Sequence, residues 1–322
     1  MPMPPVWRAT YRMQLSATFT FADAAEVVPH LANLGVSHLY LSPVLESVAG
    51  STHGYDGTDP TEVSAERGGE AQLRHLAEVA HQAGLGVLLD IVPNHLAADD
   101  ATRWWADEDL RPTMFDYDPT TGWYRRFFDI DGLAGLRQED SEVFARTHAK
   151  VLELVHDGVV DGLRVDHPDG LADPAGYLER LHCEAGVPIW VEKILQPDEP
   201  LRPWPVAGSV GYEFAADATR LFIDPAGETT LTTTYRDLTG DRQTFAEVAL
   251  QAKREQITGP FARELDQLAA LGSDIDRATL AEVIAHFPIY RTYVDPVTGT
   301  VTEADRQAVA AAVDAAEAPA TL

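Results

Sequence analysis

Short apolar runs alternate with helical patterns at least five times along the first two thirds of the chain. The runs have strand length and end near glycine or proline, whereas the segments between them repeat apolar residues every three or four positions. The runs lie at Thr10–Leu15, Ser37–Pro43, Gly86–His95, Gly162–Asp166 and Pro188–Leu195, with a sixth at Val206–Phe214. This alternation predicts a parallel α/β sheet, most economically a (β/α)8 TIM-type barrel that is incomplete, with about six recognisable strands.

The last third of the chain has helical patterns without apolar strand runs. From Gly227 onward these patterns cover roughly residues 243–271, 275–286 and 303–317. Residues 97–131 follow the third strand, are rich in Asp, Trp, Thr and Pro, and show no sustained period. We therefore predict a barrel region over residues 1–226 with a short excursion at 97–131, followed by a helical region over residues 227–322.

The charge of the chain excludes several classes of partner. There are 51 acidic and 24 basic residues, and the net charge of -27 repels nucleic acid and anionic membranes but suits a neutral substrate such as a sugar. No run approaches about 20 uncharged apolar residues, and the N-terminus lacks a basic region followed by an apolar one. Together with the single cysteine, Cys183, these features predict a soluble cytoplasmic protein.

The fourth apolar run delivers charged side chains to one face of the sheet. Because side chains alternate along a strand, Gly162, Arg164 and Asp166 share a face. A guanidinium beside Asp166 favours the ionised carboxylate, which a nucleophile requires. The helix that follows has a clear start, with Asp173 as N-cap and Pro174 at the first helical position.

Polar side chains that folding does not require stand at the carboxyl ends of four predicted strands. In a parallel barrel these ends meet at one face, so residues far apart in sequence become neighbours. The groups are His53-Gly-Tyr-Asp56, Asp90 with Asn94 and His95, Arg164 with Asp166 and His167, and Glu192 with Lys193. We expect a polar site at this face.

Asp166 and Glu192 end successive strands, and such strands lie about 4.8 Å apart. A retaining glycosidase needs two carboxyl groups about 5 to 5.5 Å apart, one as nucleophile and one as acid and then base. Two solvated acidic residues at strand ends are the more common explanation when the pair is taken alone. Tyr55 is suited to stack on a sugar or to pack its own loop, and His95 to donate to a sugar hydroxyl or to nearby backbone.

Metal and nucleotide sites lack support in the sequence. Glu153-Leu-Val-His156 and Glu179-Arg-Leu-His182 have Glu-x-x-His spacing, but no second histidine motif accompanies them. No glycine-rich phosphate loop is visible either. We therefore expect neither a metal nor a cofactor.

Several phrases taken together closely resemble the maltooligosyltrehalose synthase family, within the α-amylase superfamily of retaining glycosidases and transglycosylases. The phrases are Thr10-Tyr-Arg-Met-Gln-Leu15, Leu39-Tyr-Leu-Ser-Pro43, Gly50-Ser-Thr-His-Gly-Tyr-Asp56, Asp90-Ile-Val-Pro-Asn-His95, Tyr124-Arg-Arg-Phe-Phe-Asp129, the stretch from Gly162 to Pro174, Val191-Glu-Lys-Ile-Leu195 and Phe287-Pro-Ile-Tyr-Arg-Thr-Tyr293. Several of them are specific to that synthase rather than to amylases in general.

The resemblance implies a site and a reaction. It implies that Asp166 is the nucleophile, Glu192 the general acid/base and Arg164 the residue that orients the nucleophile. It further implies a glucosyl subsite lined by Tyr55, Asp90, His95 and His167, with Lys193 nearby. The implied reaction converts the reducing-end α-1,4 bond of a maltooligosaccharide into an α,α-1,1 bond, which yields a terminal trehalose unit and requires a site that excludes water.

The chain departs from this family in two respects. The excursion after His95 replaces a much longer inserted domain, and no His-Asp segment bearing a third catalytic carboxylate follows Tyr293; His156-Asp157 lies in a helical pattern. Two further hypotheses follow from these departures. The chain is an α-glucan hydrolase, or it is an inactive shortened protein that binds glucan or pairs with a partner chain supplying missing barrel strands.

Overall fold

The computed structural model describes residues 6–197, 199–272 and 275–317, which form two compact units. The first unit consists of the chain up to Lys193 together with Leu201–Val210. The second consists of Ile194–Pro200 and the chain from Gly211 onward. The domain boundary expected at residue 226 remains a prediction.

The first unit contains a six-stranded sheet in which every neighbouring pair is parallel, in the order β1-β2-β5-β9-β10-β11. Its strands are β1 (Thr10–Met13), β2 (His38–Leu41), β5 (Gly86–Ile91), β9 (Gly162–Val165), β10 (Ile189–Val191) and β11 (Gly208–Ser209). One face packs Leu39, Leu89, Leu163 and Val191 into the main hydrophobic core. The sequence prediction of an incomplete (β/α)8 barrel with six strands is confirmed.

The sixth predicted strand is shorter than expected. Only Gly208–Ser209 pairs with β10, and helix α7 begins at Tyr212. The run was apolar enough for a strand, but Gly211 has a φ of 86° and turns the chain into the helix. A β-hairpin of β3 (Leu45–Ser47) and β4 (Gly57–Val63) follows β2 and was not predicted.

Helices connect the parallel strands as the periodicity predicts. They are α1 (Phe21–Leu34), α2 (Gly69–Gln82), α5 (Ser141–His156) and α6 (Pro174–Ala185). Helix α6 begins as expected, because the Asp173 carboxylate accepts a hydrogen bond from the Gly176 amide at 2.9 Å and Pro174 occupies the first turn. The buried stripes of α1 and α2 contribute Phe21, Val28, Leu73 and Leu76 to the core.

The excursion after β5 is a small layer with its own core. It contains β6 (His95–Ala97), α3 (Arg103–Ala106), α4 (Arg111–Met114), β7 (Arg126–Phe127) and β8 (Ile130–Gly135). The strands pair antiparallel in the order β6-β8-β7. Trp104, Met114 and Phe115 are buried together beneath them, so the aromatic residues of this segment pack the layer.

The second unit is helical. Its helices are α7 (Tyr212–Arg220), α8 (Glu228–Thr239), α9 (Phe245–Thr258), α10 (Ala262–Leu271), α11 (Arg277–Ala285) and α12 (Glu303–Ala315). The pattern over 243–271 forms two helices rather than one, since Pro260 lacks the amide that a continuous helix needs. Among the residues described in α7, α8 and α9, none is buried.

None of the helices in the described ranges is both long enough and apolar enough to cross a lipid bilayer.

Candidate active site

The pairing of β5 with β9 brings three predicted site residues together. Asp90 lies directly opposite Arg164 in the parallel register. The Arg164 guanidinium donates from Nη1 to Asp90 Oδ1 at 2.7 Å and to Asp166 Oδ1 at 2.5 Å. All three residues are buried, so Arg164 is a charged bridge that holds two carboxylates at the carboxyl end of the sheet.

Burial and charge act in opposite directions on Asp166. Its removal from water raises the pKa of the carboxyl group to about 6, with Arg164 opposing the shift and the carboxylates of Asp90 and Glu192 adding to it. Arg164 thus acts in the expected direction, but desolvation has the larger effect. Asp166 is therefore an ionised carboxylate at neutral pH that is weakly solvated, a favourable state for a nucleophile.

Asp90 is the centre of a hydrogen-bond network larger than the sequence indicated. Its Oδ2 accepts from the Tyr55 hydroxyl at 2.5 Å, from the Tyr40 hydroxyl at 3.0 Å and from Arg12 Nη1 at 3.2 Å. Arg12 Nη2 also donates to the Tyr55 hydroxyl at 2.9 Å. Burial, reinforced by Asp90, raises the pKa of both tyrosines, so they stay protonated donors.

Arg12 and Tyr40 were not among the predicted site residues. The alternation of side chains along β1 and β2 was a usable sequence signal. Once the two strands pair, it puts Arg12 and Tyr40 on the same side of the sheet as the later site residues. The register between strands, which the sequence does not show, was needed to use it.

Glu192 lies beside the strand that leads to Asp166, as expected. Val191 pairs with Val165, and the Glu192 amide donates to the Val165 carbonyl at 2.8 Å. The half-buried Glu192 carboxylate acts electrostatically on Asp166, its counterpart one strand away. The two carboxyl groups therefore occupy neighbouring positions at the carboxyl end of the sheet.

His95 is fully enclosed and hydrogen-bonded within the protein. Its Nε2 donates to the Tyr55 carbonyl at 2.9 Å, and Asn94 Nδ2 donates to its Nδ1 at 3.3 Å. Burial lowers its pKa to about 3, so the ring stays neutral at any working pH. Of the two roles considered for His95, the contact with nearby backbone is the one present, and it fixes the loop that carries Tyr55.

His167 and Lys193 flank the carboxylates. His167 has a φ of 44°, a left-handed conformation that starts the short 3-10 turn Pro168–Gly170 immediately after Asp166. Lys193 Nζ donates to Asp169 Oδ2 at 3.0 Å, and both side chains are buried. This ion pair links the end of β10, next to Glu192, to the turn after Asp166.

The arrangement suits acid/base chemistry with a covalent step. A weakly solvated carboxylate lies next to a second carboxyl group, and tyrosine and arginine donors surround them. Over the described ranges, no group of three or more His, Cys, Asp or Glu side chains is placed to hold a metal ion. The neighbouring carboxyl groups and the donors around them suit glycosyl transfer.

Comparison with known proteins shows the family of the chain. The structure of maltooligosyltrehalose synthase from Arthrobacter ramosus superposes with a TM-score of 0.87 at 36% identity, over 97% of this chain and 51% of that one. A curated maltooligosyl trehalose synthase-type protein of Mycobacterium tuberculosis is 36% identical over 88% of this chain and 48% of its own length. The chain belongs to the maltooligosyl trehalose synthase family.

A family model and a further solved structure also match this synthase family member. The model of the alpha amylase catalytic domain matches residues 23–118. A structure from Sulfolobus tokodaii, described as a hypothetical maltooligosyl trehalose synthase, is 27% identical with a TM-score of 0.84, over 96% of this chain and 51% of that one. The chain thus spans about half the length of the relatives it matches.

Proposed function

We propose that this protein rearranges the reducing end of maltooligosaccharides, converting the last α-1,4 bond into an α,α-1,1 bond. The observation that carries the proposal is the buried Asp166 carboxylate, held by Arg164 next to Glu192, in a chain 36% identical to a maltooligosyltrehalose synthase. A neutral α-glucan also suits a chain with a net charge of -27.

In the first step, an Asp166 carboxylate oxygen attacks the anomeric carbon of the penultimate sugar. Glu192 gives its proton to the glycosidic oxygen, the C–O bond breaks, and glucose leaves. The result is an ester between the glycosyl group and Asp166. Arg164 and the network around Asp90 keep the nucleophile in position while the positive charge develops on the sugar.

In the second step, the released glucose turns and attacks the same carbon through its anomeric hydroxyl. Glu192, now ionised, takes the hydroxyl proton as the ester bond to Asp166 breaks. Atoms and charge balance without a metal or a redox partner. If water attacks instead, the products are glucose and a shortened oligosaccharide, so the outcome depends on which acceptor the site holds.

Incubation of the purified protein with maltopentaose tests the proposal. We expect reducing ends to fall without shortening of the oligosaccharide, and NMR to show the α,α-1,1 anomeric signal. Asp166→Asn and Glu192→Gln should each lower the rate by roughly a thousandfold or more, because each removes a group that reacts directly. Asp100→Asn, an exposed carboxylate of the excursion, is the matched control and should leave the rate unchanged.

Other outcomes identify the alternative functions. A rise in reducing ends with shorter products indicates an α-glucan hydrolase. Binding of maltopentaose without turnover, unaffected by Asp166→Asn, indicates a protein that only binds glucan.

A further inference from the structure

Lys193 is fully enclosed, although it directly follows Glu192 at the carboxyl end of the sheet. Its side chain is 0% exposed, and its Nζ donates to Asp169 Oδ2 at 3.0 Å. Lysine side chains normally keep the ammonium group in water, and they are almost never fully buried without a partner. The ammonium of Lys193 therefore faces Asp169 rather than solvent, whereas the neighbouring Glu192 is only half-buried.

The ion pair lies close in sequence to both carboxyl groups that the proposed reaction uses. Lys193 is one residue after Glu192, and Asp169 is three residues after Asp166. Strands β9 and β10 both end one residue before these carboxyl groups. The register between the two strands therefore stops short of the reacting groups, and the ion pair connects the segments that follow them.

The turn that contains Asp169 is also held from the side of the excursion. The Gly170 carbonyl accepts a hydrogen bond from Arg125 Nη1 at 2.8 Å. A Cβ at Gly170 would lie 2.5 Å from Asn94 Oδ1 and 2.5 Å from His167 Cδ2, so the turn is closely packed. A carboxylate on a turn that is fixed in this way is a firm anchor for a side chain from β10.

Burial makes the Lys193–Asp169 pair demanding in its geometry. The two side chains are 0% and 7% exposed. Moving two charges out of water costs free energy, and a well-packed apolar pair in such positions is often at least as stable. In some proteins a buried ion pair instead selects one arrangement of the chain. Loss of a single partner leaves a buried charge uncompensated, so the two positions depend on each other.

We propose that Lys193 is a positioning residue that places the Glu192 carboxyl group relative to Asp166 through the ion pair with Asp169. The inference rests on the proposed function, in which Glu192 must reach first the glycosidic oxygen and then the acceptor hydroxyl. Lys193 itself makes no bond and transfers no proton. Without the ion pair, Glu192 is displaced, and both proton transfers slow although every reacting group is present.

Substitution of each partner tests the pair. Lys193→Met and Asp169→Asn should each lower kcat for maltopentaose at least about tenfold, with KM within about threefold of the wild type. The double variant should regain a Tm near that of the wild type, because no unpaired charge stays buried, while its kcat stays as low as in the single variants. Recovery of kcat together with Tm would show a role in stability alone. A KM raised in Lys193→Met but not in Asp169→Asn would show a sugar contact; either result overturns the proposal.

A substrate that needs little acid catalysis separates Glu192 from Asp166. Fluoride leaves α-maltosyl fluoride with little help from an acid, so formation of the glycosyl-enzyme from it depends on Asp166 far more than on Glu192. Fluoride release in the first turnover of the double variant should stay within about threefold of the wild-type rate. A loss as large as that with maltopentaose would mean that the whole site is distorted, which contradicts a specific effect on Glu192.

Lys150→Met is the matched control. Lys150 Nζ also donates to a carboxylate at 3.0 Å, that of Glu70, but it joins α5 to α2 and is more exposed. Its loss should leave kcat unchanged and Tm within about 2 °C of the wild type. A fall in kcat equal to that of Lys193→Met would show that loss of any paired ammonium slows the protein, and would overturn the specific role of Lys193.

A wild-type protein that gives no product from maltopentaose overturns the proposed function but leaves the pair testable. The Glu192 carboxylate contributes to the raised pKa of Asp166, so that pKa reports where Glu192 lies. The double variant Lys193→Met/Asp169→Asn keeps the net charge, and its Asp166 should titrate at least about half a pH unit away from the wild-type value in carboxyl ¹³C NMR. An unchanged Asp166 titration in the double variant overturns the positioning role.

Discussion

At the residue scale, the central group is a carboxyl whose charge state depends on two opposing effects. Desolvation raises the pKa of Asp166 to about 6, and the Arg164 guanidinium limits that rise. Arg164 also donates a hydrogen bond to Asp90 Oδ1. The other oxygen of Asp90 accepts hydrogen bonds from Tyr40, Tyr55 and Arg12. Asp166 is thus positioned through Arg164 by residues from three strands and one loop.

Activity should depend on pH through Asp166. In the proposed reaction only the ionised carboxylate attacks, so kcat/KM should fall as pH decreases through about 6, to about a tenth of its plateau near pH 5. A pH profile of kcat/KM with maltopentaose checks this. An acid limb near pH 4 would show that Arg164 outweighs burial.

Stability provides an independent check on the same group. The folded pKa of Asp166 lies above its ordinary value of 3.8, so folding favours the protonated form and the carboxyl destabilises the protein as pH rises from about 4 through 6. Asp166→Asn removes this cost, which is at most about 3 kcal/mol. We expect the variant to exceed the wild type in Tm at pH 7.5 and to lose that advantage near pH 4.

At the element scale, one arginine attaches the excursion to the site. Arg125 Nη1 donates to Asn94 Oδ1 at 2.7 Å and to the Gly170 carbonyl at 2.8 Å, and Nη2 donates to the Leu136 carbonyl at 2.8 Å. These partners lie after β5, after β9 and after β8. Arg125 therefore fixes the hairpin with Phe127 and Phe128 against the turn that carries His167.

Gly135 provides the space that this arginine occupies. A Cβ at Gly135 would lie 2.4 Å from the Arg125 Cζ and 2.6 Å from both Nη atoms. Gly135→Ala should displace the guanidinium, lower Tm by several degrees and lower kcat/KM, because about one to three hydrogen bonds are lost. Thermal unfolding and kinetics with maltopentaose measure both effects.

The matched control is Gly132→Ala, in the same strand. A Cβ at Gly132 meets no atom within 4 Å, so this variant should keep the wild-type Tm within about 2 °C. Equal losses in the two variants would mean that the strand itself, and not Arg125, is sensitive to alanine.

At the scale of the whole molecule, the two units differ in how far their large apolar side chains are buried. The first unit has a large buried core around its sheet. In the second, large apolar residues of the first three helices and their connections are exposed, among them Phe214, Leu221, Phe222, Leu238 and Phe245. Exposed apolar surface on this scale is unusual for an isolated protein and favours dye binding and association.

We expect the protein to bind the dye ANS in its native state. Substitution of Phe222, which is 90% exposed, by aspartate should reduce that fluorescence without lowering Tm, because no packing is lost. Phe115→Asp, at a fully buried position in the first unit, is the contrasting variant and should lower Tm strongly. Absence of ANS fluorescence from the folded wild type would contradict the exposure of these residues.

Local sequence was enough to predict the strand and helix alternation, the helical C-terminal region and the residue types at the strand ends. These follow from local periodicity and from signals such as Asp173 and Pro174, which act within a few residues. It also placed Arg164 beside Asp166, because alternation within one strand is a local property.

The partners of these residues depend on how the whole chain folds. That Asp90 faces Arg164, that Arg12 and Tyr40 join them, and that Phe128 reaches His167 depend on strand register and on how the excursion packs. Such contacts join residues 30 to 80 positions apart in the sequence. Their energies depend on the burial of all the residues that surround them in the folded chain. No local pattern encodes that burial, so the sequence predicted which groups could react and the fold determined which of them meet.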